Sequence, residues 1–196
     1  MNEILKRYFE DGTYDDANTL IDTLLYYSDE DIVENVVSTE EKTIEPYNIP
    51  QYSSYDDGTV NIIHYLRCIG DFGPNFVEIG KHYLGSDHND VAYTKYGENH
   101  AKLAEALGLA SIVNEGRKRV YLTEIGRELE KRDIEVQKNC IKKLAGQIPI
   151  VQRAFKDDFR GVSELERLMY DYLSESTVKR RRKNTWDLVC KLRGDE

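Results

Sequence analysis

The 196 residues carry 27 basic and 36 acidic side chains, a formal net charge of −9, with 40% hydrophobic and 32% charged residues. That balance can bury a core and excludes a disordered chain, and no apolar run approaches the roughly 18 residues that a membrane span needs. Met1 to Lys6 lack the basic-then-apolar pattern of a secretory leader, so a cytoplasmic location with no membrane partner is expected.

The charge is unevenly spread. Residues 1–60 hold 15 acidic and 3 basic side chains, a net of −12, whereas the rest hold 21 and 24, a net of +3. Residues 176–193 carry seven basic side chains and one acidic. A polyanion is repelled by the first part and attracted by the last.

In chain order, residues 1–37 read as helical. Ile4, Leu5, Tyr8 and Phe9 recur at helical spacing, as do Leu20, Ile21, Leu24 and Leu25. Gly12 and Thr13 separate the two, and Asp15 and Asp16 suit the first turn of the second helix. Ser28 is placed to cap a third helix, with Asp31 at its third position. Residues 38–58 hold Pro46, Pro50 and Gly58 without a period and read as a linker.

From Thr59 the pattern tightens. Val60, Ile63, Leu66 and Ile69 predict a helix ending near Gly70, and Phe76, Ile79 and Tyr83 a second. A polar stretch, 85–90, precedes a longer helix over about 94–109 that stops at Gly108. Ser111–Val113 and Arg119–Leu122 predict a hairpin around a polar turn, and Thr123 caps the next helix. The order helix, helix, helix, hairpin, helix is that of a winged helix. Beyond it, helices are expected over 134–145, 150–159 and 162–172, then a final one that Ser174 caps, running from Glu175 to about Leu192. The expected fold is mainly α: an acidic helical segment with its linker (1–58), a winged helix (59–132) and a second helix-turn-helix-like unit (133–196).

Two stretches carry a resemblance. Tyr93-Thr94-Lys95-Tyr96-Gly97-Glu98-Asn99-His100-Ala101-Lys102-Leu103-Ala104-Glu105-Ala106-Leu107-Gly108-Leu109, with Leu122-Thr123-Glu124-Ile125-Gly126 downstream, resembles a winged-helix recognition helix and the turn closing its wing. Leu173-Ser174-Glu175-Ser176-Thr177-Val178-Lys179-Arg180-Arg181 is similar to the Ser-Thr-x-x-Arg-Arg element of a second module. Such pairs form the target-reading domains of some type II restriction endonucleases and related defence proteins. The family places a tryptophan about three turns after the threonine; Trp186 stands nine positions after Thr177, and Leu188 holds the expected place. The resemblance covers about residues 59–193 and implies a DNA reader separate from its nuclease.

The expected DNA contacts follow from side-chain chemistry. Lys95, Asn99 and Lys102 should face outward from the long helix, where Asn99 suits an adenine edge and Lys102 a guanine edge. Glu98 and Glu105 on that face oppose phosphate. Arg117, Lys118 and Arg119 sit at the hairpin tip. Thr177, Lys179, Arg180, Arg181, Arg182 and Lys183 form the densest basic cluster, although consecutive helical residues cannot all reach one duplex. The duplex is the expected partner, with a protein partner or a second copy docking through residues 1–58. That acidic segment contains Tyr26, Tyr27, Tyr47, Tyr52 and Tyr55, residues suited to an interface.

No catalytic centre, cofactor or metal site is expected. Glu40-Glu41-Lys42 matches the short acidic–x–lysine nuclease pattern only within the linker, and the four histidines and three dispersed cysteines have no ligand spacing. Two other functions fit the same residues: a dimeric phage or bacterial transcriptional regulator, and a protein–protein adaptor docking through the acidic segment.

Overall fold

The computed structural model describes residues 2–49, 51 and 55–194, so Pro50 and Tyr52 lie outside the described residues. Three short helices open the chain: α1 (Glu3–Asp11), α2 (Ala17–Tyr26) and α3 (Asp29–Val37). Local chemistry sets their ends. Asn2 Oδ1 accepts from the Ile4 and Leu5 N–H groups, and Gly12, at φ 78°, terminates α1 in the left-handed region. Asp16 is the cap of α2 rather than part of its first turn. Ser28 and Asp31 form a reciprocal capping box on α3, as the sequence predicts.

The expected linker is anchored. Thr39, Ile44 and Ile49 are buried, with one 3-10 turn at Pro46–Asn48. Isolated apolar residues can anchor a segment that shows no period at all. The next helix, α4 (Asp56–Ile69), begins three residues before Thr59, with Asp56 and Asp57 in its first turn, where carboxylates favour the helix dipole.

α5 (Phe76–Leu84) and α6 (Asp90–Ala106) follow, then the antiparallel strands β1 (Ala110–Asn114) and β2 (Lys118–Leu122) and helix α7 (Glu124–Glu130). Asn89 caps α6 by accepting from the Ala92 N–H at 2.9 Å. This extends the helix one turn ahead of the expected start. Thr123 caps α7 through the Gly126 N–H. A further bridge joins Asn75 to Arg119, beside a bond from the Val120 N–H to the Pro74 carbonyl at 3.0 Å. The segment before α5 therefore lies along the hairpin's outer edge.

Helices α5 and α6 cross at backbone contact. A Cβ on Gly80 would stand 2.0 Å from the Tyr93 carbonyl oxygen, and one on Gly97 would stand 2.0 Å from that of Phe76. Glycine is required there by space, since any side chain forces the helices apart.

The chain ends with α8 (Ile134–Leu144), α9 (Pro149–Lys156), α10 (Val162–Tyr170) and α11 (Glu175–Arg193). Ser174 occupies the cap position of α11, but its side chain bonds no main-chain N–H; its Oγ lies 3.0 Å from Thr177 Oγ1 instead. The described residues are thus mainly helical, with eleven α-helices and one two-stranded sheet. No helix among them is long and apolar enough to cross a membrane.

One buried apolar cluster runs from Leu5 to Leu192. α2 packs on α7 and α8, and α3 packs on α9 and α11. Polar contacts reinforce this. Lys143, buried, donates to the Leu24 carbonyl at 2.8 Å and to that of Tyr27, holding carbonyls at the end of α2. Burial lowers its pKa. Gln152 donates to the Phe9 carbonyl at 2.8 Å.

Candidate nucleic-acid interface

Helix α6 divides as its sequence predicts. His100, Ala101, Ala104 and the following Leu107 are buried, while Lys95 and Glu105 are exposed and Glu98, Asn99 and Lys102 are half-buried. The two carboxylates that oppose a phosphate are both occupied. Glu98 pairs with Lys102 at 2.7 Å, and Glu105 accepts from the Ile112 N–H at 3.0 Å, tying β1 to the helix. Lys102 is thereby partly neutralised. Lys95 has no carboxylate partner among the described residues.

At the hairpin, the three adjacent cations have three different surroundings. Arg117, in the turn, is exposed. The Lys118 Nζ lies 5.9 Å over the Phe76 ring. Arg119 turns inward: its Nη1 donates to the carbonyls of Phe72 at 3.1 Å and Gly73 at 2.7 Å, and its Nε lies 3.9 Å from Glu115. Gly73 has φ 46°, and the Tyr121 ring stands where its Cβ would be, 2.3 Å away. Arg119 therefore fastens the hairpin to the turn before α5. This departs from its expected role in DNA contact, because a strand points successive side chains to opposite faces.

The basic run on α11 is also divided. Arg181 is taken out of the expected contact set. Its Nη1 donates to the main-chain carbonyls of Pro46, at 3.4 Å, and Ile49, and its Nε is buried with no partner among the described residues. Burial pulls its pKa below the usual value. Arg182 is paired with Glu166, whose carboxyl that contact lowers. Lys179 pairs with Glu175 at 2.6 Å. Arg180 donates to the Ser176 carbonyl and to Thr177 Oγ1, both at 3.2 Å, so Thr177 orients this arginine. Arg180 and Lys183 are exposed and have no carboxylate partner among the described residues.

The acidic segment is matched largely inside the chain. Asp22 meets Arg132 at 3.1 Å, Asp29 meets Lys142 at 2.5 Å, Asp57 meets Lys138 at 2.8 Å and Asp56 meets Lys191 at 3.1 Å; Glu41 meets Arg153. The apolar faces of α1 to α3 are likewise buried intramolecularly, which removes them as the docking surface expected of residues 1–58. Of the tyrosines singled out there, Tyr26 and Tyr47 are exposed, at 83% and 72%, while Tyr55 is buried.

Two of the expected contact regions meet. A cleft of about 400 Å³ between α6 and α11 is lined by Lys95 and Asn99 from one helix and Arg180 and Asn184 from the other. Gln51, Leu84, Ala92, Tyr96 and His100 complete its wall. Arg117 to Arg119, Lys102, Lys179 and Lys183 lie outside this lining. Asn184 was legible one helical turn after Arg180, but Gln51 carried no sequence signal, and His100 read only as core.

Comparison with protein-family models, with curated proteins and with solved structures finds no match to this chain.

Proposed function

We propose that this chain is a duplex-DNA reading module built on a winged helix. In this reading α4, the Asn75 edge, α5, α6 and the β1–β2 hairpin are the winged-helix elements, and α6 is the helix laid in the major groove. The observation that carries it is a set of cations without carboxylate partners: Lys95 on α6, Arg117 on the hairpin, and Arg180 and Lys183 on α11. They remain so in a chain that places five of its N-terminal carboxylates against other basic residues. The sequence resemblance supports a reader that works beside a separate nuclease.

The test is fluorescence anisotropy against a random duplex pool over a salt titration. Four phosphate contacts give a slope of log K against log salt of roughly −3.6. Reversing Arg117 and Lys183 together halves it to roughly −1.8. Duplex affinity that ignores salt, or that survives both reversals unchanged, ends the proposal.

A further inference from the structure

The cleft between α6 and α11 has a character that a flat duplex-binding surface does not need. In a chain of net charge −9, it is lined by two cations and no carboxylate. The contrast with the larger cleft beside α8 and α11, about 1040 Å³, is direct: there Lys138, Lys142 and Lys191 alternate with Asp29, Asp56 and Asp187. A net positive lining selects an anion. Its volume of about 400 Å³ lies in the range of small-ligand sites and is far too small for a duplex.

The remaining groups suit a heteroaromatic ring. Tyr96 supplies a ring face, and Asn99 and Asn184 supply amides that can pair with a base edge. His100 is only 4% exposed and lines the same cleft. Its Nδ1 lies 2.9 Å from the Tyr96 carbonyl, so Nδ1 carries the proton and Nε2 is left as an acceptor with no partner among the described residues. Stacking on Tyr83, at 4.2 Å between ring centroids, fixes the ring plane. Burial also keeps the imidazole neutral, which preserves that acceptor for an exocyclic amine. Arg180 is already oriented by the Ser176 carbonyl and Thr177 Oγ1, so less side-chain freedom is lost when it meets a phosphate.

We propose that this cleft binds a single nucleotide unit, its phosphate between Lys95 and Arg180 and its base against Tyr96 and the amides of Asn99 and Asn184. The unit is either a free mononucleotide or one nucleotide of a strand. This goes beyond duplex reading, because it uses the side of α6 that faces α11 and requires no hairpin contact.

Calorimetry on the full chain tests it, with adenosine 5′-monophosphate, a short single-stranded oligodeoxyadenosine and a duplex as probes. The mononucleotide is expected to bind with Kd below about 1 mM. Arg180→Gln and Asn99→Leu are each expected to weaken it about tenfold, with circular dichroism confirming that both variants fold. Arg117→Glu, outside the cleft, leaves mononucleotide binding unchanged while weakening the duplex. Oligonucleotide binding with the same variant sensitivity, without mononucleotide binding, assigns the ligand to a strand. The proposal is overturned if neither probe binds the folded chain, or if binding ignores both Arg180→Gln and Asn99→Leu. Loss of the duplex reading is recognised separately, by duplex affinity that ignores Arg117→Glu.

Discussion

The α5–α6 pair and the α10–α11 pair both present cations, but they are held together by different physics. The first pair meets backbone to backbone at Gly80 and Gly97. The second meets through side chains, with Leu165, Met169, Val178 and Leu188 buried and Arg182 tied to Glu166. A backbone contact cannot yield as a flexible side chain can, so the first pair fixes the position of Lys95 and Asn99 tightly. The second leaves its cations adjustable. The largest expected effect breaks the first pair. Gly97→Ala improves helix propensity by about 1 kcal/mol, but it forces a Cβ onto the Phe76 carbonyl, at a cost of about 4 kcal/mol. A net loss of about 3 kcal/mol in denaturant unfolding is expected; a neutral or stabilising result means that the helices do not cross so closely.

The next effects separate cations that are neighbours in sequence. Arg181→Ala removes the donor to Pro46 and Ile49 and is expected to cost about 1–3 kcal/mol of stability. Lys183→Glu, two residues on and exposed, is expected to leave stability within about 0.5 kcal/mol and to weaken duplex binding several-fold. Equal stability losses in the two variants would erase the division of this run. At the hairpin, Arg119→Ala is expected to speed hydrogen exchange at the Val120 N–H, which is bonded to the Pro74 carbonyl. Arg117→Ala is expected to leave that exchange unaltered.

The helices were legible because their apolar residues recur at helical spacing and their caps are local: Ser28 with Asp31, and Thr123 with Gly126, need only three residues to declare themselves. The hairpin was legible for the same reason. What charge counting could not show was which cations stay available. Arg181 and Lys183 look alike in sequence, yet one meets carbonyls more than a hundred residues away. The linker misled because Ile44 and Ile49 are single anchors without a period. The acidic segment read as an interface because its basic partners, Arg132 to Lys191, are distant in the chain. The candidate cleft has the same origin: each wall was legible alone, and only tertiary packing brings Asn99 and Arg180 together.

The smallest expected effect sharpens the comparison at Arg182, which differs from Lys183 only in having Glu166 as a partner. The hydrogen bond from Arg182, and then that from Tyr170, holds the Glu166 carboxyl below its ordinary value. A carboxyl lowered in the folded state contributes stability above its unfolded pKa and loses it as pH falls through the folded one. The contribution is therefore complete at neutral pH and disappears only on acidification below the usual glutamate range. Glu166→Gln abolishes it at every pH and releases Arg182, adding one free cation beside Arg180 and Lys183. The expected result is a steeper salt dependence of duplex binding, by about 0.9 in slope, with a small loss of stability at pH 7 that vanishes in acid. If Glu166→Gln leaves the salt slope unchanged, Arg182 does not face the duplex even when freed, and the DNA-facing side of α11 narrows to Arg180 and Lys183.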